Sequence, residues 1–257
     1  MYNLFVSKIF LSVVIPSYNE MANLQKGVLD KVEHFLIRQK YEYAVTIVDD
    51  GSTDGSIDFV EKFVKQNPKF KLFKNSHTGK GGAVSAGMLE AEGEYVLFTD
   101  MDQATPIEEI EKLLPFKDQF DIVIGSRNSQ RKGAPWTRAL MGKGMICLRT
   151  LVVGLRGIND TQCGFKLFKK EAAKKLFTRL NDMHHGYKKI SGSSVKAGFD
   201  VEVLLLAQKM GYKIKEVPVE WLYVETRRVS PIKDSLEAVD DLIRIKLNDI
   251  SGKYKTL

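Results

Sequence analysis

Short apolar runs alternate along the first half of the chain with segments whose apolar residues recur every three to four positions. "IFLSVVI" (9–15), "YAVTIVDD" (43–50), "FKLFK" (70–74), "EYVLFTD" (94–100) and "FDIVIGS" (120–126) have the length and residue types of buried strands. Between them, Leu24, Val28, Val32 and Phe35 share one helical face, and 56–66 and 81–91 predict further helices. Thr105-Pro106-Ile107-Glu108 predicts another helix, with Pro at its first position and a capping-box Glu. The second half is less regular. Residues 138–156 predict a helix weakened by glycines, 181–194 a polar loop, 199–212 a helix stopped by Gly, 213–221 a strand and 234–250 a final amphipathic helix.

Alternation of this kind predicts an α/β fold: a mostly parallel sheet with helices on both faces, followed by C-terminal amphipathic helices. Ligands of such sheets bind at the carboxyl ends of the strands. The predicted strand ends carry Pro16–Glu20, Asp49-Asp50, Asn75–Lys80, Asp100–Asp102 and Gly125–Arg127, so parallel strands would gather these polar groups on one rim. With no internal repeat or linker, residues 1–225 are expected to form one domain, with 226–257 as an amphipathic helical segment packed on it.

Composition narrows the class. Of 257 residues, 44% are hydrophobic and 28% charged, as in globular proteins. Two cysteines, Cys147 and Cys163, suggest a reducing compartment and no disulfide framework. No secretory leader is expected. The longest run without a charge, 9–19, is far short of the ~20 residues of a spanning helix, so the chain is expected not to cross a membrane. The net charge is +7, and no carboxylate lies between Asp121 and Asp160, a stretch holding Arg127, Arg131, Lys132, Arg138, Lys143, Arg149 and Arg156. Helical spacing puts Arg138, Arg149 and Arg156 within ~20° of one another. That stripe suggests a helix against an anionic membrane surface; the alternative is a surface helix whose arginines pair with distant acids. Nucleic acid is not expected, because Trp136 is the only aromatic residue in the basic stretch to offer a stacking surface.

Asp100 and Asp102, at a strand end, could hold Mg²⁺ or Mn²⁺ through hard oxygen ligands and leave positions open for a diphosphate. "VDDGSTDGS" (48–56) suits either recognition of a base and ribose or a turn with a helix cap. "NSHTGKGGAVSAG" (75–87) lacks Walker spacing. Its glycines could admit a nucleotide with Lys80 near phosphate, or only make a tight turn.

In combination, "VVIPSYNE", "VDDGSTDGS", "GKGGAVSAGM", "DMD" and "GSR" resemble the family 2 glycosyltransferases of the GT-A (Rossmann-like) fold. "ATPIEEIEKLLPF" and "DTQCGFKLFKKEAA" (160–173) are similar to the polyprenyl-phosphate branch, which includes dolichyl-phosphate glucosyltransferases and dolichol-phosphate mannose synthases. The resemblance covers roughly residues 9–225. It implies that Pro16, Tyr18, Glu20 and Asp50 line a nucleotide pocket with Gly79 and Lys80 close by. Asp100 and Asp102 would hold the metal. Arg127 would lie beside the transferring phosphate, on a loop (127–137) able to close over the donor, and Asp160 near the acceptor. Arg138, Arg228 and Lys233 would meet the lipid phosphate. Where the glucosyl branch has D-A-D-G-A-T-P this chain has "DMDQATP", and Gln103 is not assigned to the metal. The transmembrane anchor of many relatives is not expected in this chain.

The resemblance implies inverting transfer of a sugar, glucose from UDP-glucose by branch, to a polyprenyl phosphate. The enzyme would be peripheral, at the cytoplasmic face of a membrane, with Asp102, Asp160 and Arg127 in catalytic roles. Asp160 could be a base or an orienting group. GDP-mannose as donor, a soluble acceptor, and a non-catalytic nucleotide-sugar or lipid-binding role are the alternatives. Oligomeric state is left open.

Overall fold

The computed structural model describes residues 8–127, 144, 146, 148–189, 198–222 and 231–255, the side chains of 231–235 excepted. Seven strands form one sheet in the order β3-β2-β1-β4-β6-β5-β7. They are β1 (Leu11–Ser17), β2 (Tyr43–Asp49), β3 (Phe70–Lys74), β4 (Tyr95–Thr99), β5 (Ile122–Ser126), β6 (Phe165–Lys169) and β7 (Ile214–Pro218). The first four are parallel, and β5 is parallel to β7. β6 lies antiparallel between β4 and β5, which therefore point the same way. Six carboxyl ends thus share one rim, as expected. The antiparallel β6 is an addition to the expected pattern: its lysines interrupt the apolar run that identifies a buried strand.

Helices cover both faces. On one side lie α1 (Met21–Leu24), α2 (Val28–Leu36), α3 (Ser56–Gln66) and α5 (Ile110–Leu113). On the other lie α4 (Gly79–Glu90), α6 (148–153), α7 (Lys170–Met183), α8 (Gly198–Lys209) and α9 (Pro231–Ile250). The period-2 geometry of a strand sends Val13 and Ile15 into the first core and Val14 into the second.

Several local expectations change. The helix expected across Leu24–Phe35 breaks at Gly27, whose φ of 70° is left-handed. Residues 105–108 form no capping box: Pro106 is the N-cap of a short 3₁₀ turn over Ile107–Glu109, without a side-chain cap bond. α7 claims residues 181–183 of the expected loop; 190–197 lie outside the described residues. The helix expected over 138–156 ends by Val153, before Gly154 at φ 80°.

α4 is built largely of small residues and lies close over β1 and β2. A methyl on Gly87 would stand 2.4 Å from Val14 Cγ1 and 2.7 Å from Val48 Cγ2. Gly87→Ala is therefore expected to destabilise the fold by about 1–3 kcal/mol, measured as the loss of unfolding free energy in urea. An unchanged midpoint would contradict this close seating.

Candidate active site

The rim carries two kinds of aspartate. Asp49 and Asp50 are buried; Asp49 serves its own loop and Asp50 the loop that follows β3. Asp49 accepts the backbone N–H groups of Gly51 and Ser52, each at 2.9 Å, and the Ser52 hydroxyl. Asp50 accepts Thr78 N–H at 2.9 Å, Gly79 N–H at 2.7 Å and Asn75 Nδ2 at 2.9 Å, and its Oδ2 lies 2.9 Å from His77 Nδ1. Its carboxylate thus sits where the positive end of α4 would attract an anion. In "VDDGSTDGS" the first aspartate makes the turn while the second meets the neighbouring loop. The expected place of Asp50 and Gly79 in a nucleotide pocket remains a proposal. Pro16 lies near the end of β1, and Tyr18 and Glu20 follow it on the same rim. Tyr18 stacks on His77 at 4.3 Å between ring centres, and Glu20 accepts Asn23 Nδ2 at 2.6 Å.

Asp100 and Asp102 belong to the second kind. They line a cavity of about 150 Å³ together with Thr99, Ala104, Thr105, Arg127, Gln162, Gly164 and Trp221. The turn that carries them is held by Asp102 Oδ1 accepting Ala104 N–H at 3.0 Å. Gln103 has a φ of 49°, and its amide donates to Asp100 O at 2.9 Å. Gln103 therefore staples the turn from a backbone conformation that favours glycine. Gly164 fits against Asp100 because it has no side chain: a Cβ there would lie 1.9 Å from Asp100 Oδ2.

Lys80, in the first turn of α4, reaches Asp100 Oδ1 at 2.8 Å. Burial acts to lower its pKa, but Asp100 and then Asp200 outweigh that and hold it above the ordinary lysine range. Beneath this pair, Lys166 on β6 is 1% exposed and donates to Asp200 on α8 at 2.5 Å and to Cys163 O at 2.6 Å. Arg127 makes a two-pronged pair with Asp160, Nε to Oδ2 at 2.7 Å and Nη2 to Oδ1 at 2.8 Å, and its backbone N–H also reaches Oδ2 at 2.9 Å. Burial acts to raise the Asp160 pKa, yet hydrogen bonds and charge from Arg127 hold it below the usual carboxylate range. The geometry thus makes Asp160 a two-pronged acceptor for Arg127.

The basic helix is also corrected. Arg149 is 5% exposed and donates to Thr161 Oγ1 at 3.0 Å and to Ile158 O at 2.5 Å, so it braces the 158–161 loop instead of facing lipid. Arg156 is exposed but lies beyond the helix end, and no common stripe exists. Arg138, Arg228 and the loop 128–137 lie outside the described residues, as does the side chain of Lys233.

The sequence profile of "Glycosyl transferase family 2" matches residues 12–177. The chain belongs to this family. It is 33% identical to a dolichyl-phosphate beta-glucosyltransferase of Dictyostelium discoideum, over 97% of this chain and 78% of that one. It is 35% identical to the Saccharomyces cerevisiae protein of the same name, over 96% and 77%. The Homo sapiens protein of that name is 33% identical, over 95% and 77%. Among solved structures, glucosyl-3-phosphoglycerate synthase from Mycobacterium tuberculosis in complex with UDP matches with a TM-score of 0.61 and 16% identity, over 93% of this chain and 80% of that one. A second structure of that synthase contains Mn²⁺, UDP and glucosyl-3-phosphoglycerate and matches with a TM-score of 0.60 and 16% identity, over 95% and 80%. At this identity the likeness establishes the fold, which is that of a GT-A glycosyltransferase.

In this family 2 glycosyltransferase the cavity can supply a divalent cation with two hard oxygen donors, Asp100 and Asp102. Among the described residues no cluster of three or more His, Cys, Asp or Glu side chains could enclose a metal. The remaining positions would fall to ligand oxygens and water, a donor set that suits Mg²⁺ or Mn²⁺ beside a diphosphate. Sequence reasoning missed Gly164, Lys166, Asp200, Gln162 and Trp221. A lysine within the apolar run 165–168 and an acid within the apolar helix 199–207 were the available signals.

Removing Asp160 would leave Arg127 half-buried without its partner. Asp160→Asn is expected to destabilise the protein by roughly 3 kcal/mol. The wild-type contribution is present above the ordinary carboxylate pKa near ~3.9. It is lost as pH falls through the lower folded value. Unfolding followed between pH 5 and 2 should therefore show a shallower acid slope for the variant; equal slopes would contradict the assignment.

Proposed function

We propose that this chain transfers glucose from UDP-glucose to a polyprenyl phosphate of the dolichyl type, with Mg²⁺ or Mn²⁺ bound at Asp100 and Asp102. The observation that carries the proposal is the meeting of that acidic pair with Arg127 in one cavity at the strand ends. The names of the relatives support the donor sugar and the lipid acceptor.

A lipid phosphate oxygen attacks the anomeric carbon from the face opposite the nucleotide. The new C–O bond forms as the bond to the diphosphate breaks, UDP departs with the electron pair, and an α-linked donor gives a β-linked product. The phosphate nucleophile is already largely ionised at neutral pH, its second pKa being ~6, so no general base is required. Asp160, committed to Arg127, is free of that duty. Arg127 sits beside the attacking lipid phosphate with its guanidinium fixed in advance, which favours electrostatic stabilisation over reorganisation. When bound, the cation neutralises charge on the departing diphosphate. Tyr18, Pro16 and Glu20 serve the nucleotide, and Lys80 its phosphates. Arg138, Arg228 and Lys233 complete the proposed set for the lipid phosphate.

With a membrane-bound acceptor the enzyme works at a lipid surface. Among the described residues no helix is long and apolar enough to cross a membrane. α9 offers another attachment. Leu242 and Ile245 are buried, while Leu236, Ile243, Leu247 and Ile250 are 67%, 50%, 61% and 70% exposed. At 100° per residue those four lie within an arc of ~60°, an outward apolar stripe suited to the acyl boundary. The peripheral, cytoplasmic-face location is part of this proposal.

Incubated with Mg²⁺ or Mn²⁺, UDP-glucose and a polyprenyl phosphate, the protein should form glucosyl lipid, and GDP-mannose should be the poorer donor. Asp102→Ala should reduce turnover at least a hundredfold; full activity in that variant would overturn the metal assignment. Replacing Ile243 and Leu247 together by Asp should weaken binding to phosphatidylcholine–phosphatidylglycerol vesicles at least tenfold with the melting temperature unchanged, because both side chains are exposed. Undiminished vesicle binding would exclude α9 as the contact.

A further inference from the structure

We infer that Trp221, with Gln162, is the seat of the transferred sugar, its indole forming the apolar face against which the hexose ring lies. This rests on the glycosyl-transfer reading and adds a specificity residue to it. Trp221 is the one aromatic side chain among the residues lining the cavity. A hexose has an apolar C–H face and a rim of hydroxyls. A cavity that pairs one aromatic plane with a few fixed polar groups matches both. Asp100 and Asp102 mark the diphosphate end, and the sugar, bonded directly to that diphosphate, must occupy the space next to it. Pro16, Tyr18 and Glu20, at the end of β1, do not line this cavity, which separates it from the place proposed for the nucleotide base.

The indole stands on a segment stitched down on both sides. Val219 N–H donates to Ser126 O at 3.0 Å, Glu220 N–H to Glu109 Oε2 at 2.8 Å, and Leu222 N–H to Ala104 O at 2.7 Å. Glu109 is itself buried and paired with Lys112 at 2.7 Å. The tryptophan is thereby tied to the turn that follows Asp102 and to the end of β5, the two elements that carry the metal pair and Arg127. The Arg127 guanidinium carbon lies 5.9 Å from the indole centre, so its charge and the sugar platform are held in one frame. Gln162, which also lines the cavity, donates its backbone N–H to Asp160 Oδ1 at 3.1 Å, and its side-chain amide can both give and accept hydrogen bonds with sugar hydroxyls.

The chain has two tryptophans, so Trp136→Phe leaves Trp221 as the only indole. In that background with Mg²⁺, UDP-glucose should shift or quench the emission well beyond the change given by UDP, with UDP affinity measured separately by calorimetry. Trp221→Ala should raise the KM for UDP-glucose at least tenfold while the UDP dissociation constant stays within twofold, and Trp221→Phe should restore most of the loss. Identical emission changes for UDP and UDP-glucose, with UDP binding intact, would overturn the Trp221 assignment alone. So would a KM for Trp221→Ala equal to that of wild type. Absence of calorimetric UDP binding would overturn both this assignment and the glucosyl-transfer reading.

Discussion

Placing Lys166 in the middle of a sheet, at 1% exposure, obliges the fold to supply a carboxylate beside it. An ammonium removed from water without a partner would cost several kcal/mol. Asp200 answers that demand, and the position of α8 follows. The N-terminus of α8 is in turn held by α9, where Asp241 Oδ2 accepts Gly198 N–H at 2.8 Å and Arg244 holds the other carboxylate oxygen of Asp241. One turn further along α8, Glu202 meets His184 at 2.8 Å and Tyr254 at 2.5 Å, so the chain after α9 is fastened to the same helix. A lysine in β6 thus fixes, through successive charged contacts, how the outermost helix lies on the domain.

The residue just before the same strand also serves the site. Gly164 precedes β6, and its carbonyl accepts the Asp100 N–H at 3.1 Å while its missing side chain leaves room for the Asp100 carboxylate. An antiparallel strand between β4 and β5 is what brings a backbone carbonyl and a bare Cα to that place; a parallel strand would present its carboxyl end there. The antiparallel insertion and the acidic pair are therefore parts of one arrangement.

Periodicity made the parallel strands and their helices legible, and α3 coincides with the expected 56–66 because its apolar face is regular and its ends carry Gly55 and Asn67. β6 shows where such reasoning stops. "FKLFK" occurs twice, as β3 and as β6. In β3, at the sheet edge, Lys71 is exposed; in β6, at the centre, Lys166 is buried. Five identical letters have opposite environments because sheet position depends on contacts far along the chain. Arg149 was misassigned for a related reason. Helical spacing gives an angle around an axis, but not where the helix ends or which loop folds back to accept its hydrogen bonds. The acidic clusters were legible as clusters. What separated Asp49 and Asp50 from Asp100 and Asp102 was the set of backbone N–H groups that each loop turns inward.

Charge balance at the cavity then bears on how it can hold a diphosphate. Among the described residues, Lys80 pairs with Asp100 and Arg127 with Asp160 at the edge of the cavity. Both cations are already engaged by carboxylates at 2.7–2.8 Å, in surroundings of lower effective dielectric than water, where each pair is held more tightly. A nucleotide diphosphate entering such a site would have to compete with Asp100 and Asp160 for those cations. Under the proposed function, a divalent cation at Asp100 and Asp102 would add positive charge there and compete with Lys80 for Asp100. The acidic pair would then couple binding of the donor to binding of the metal.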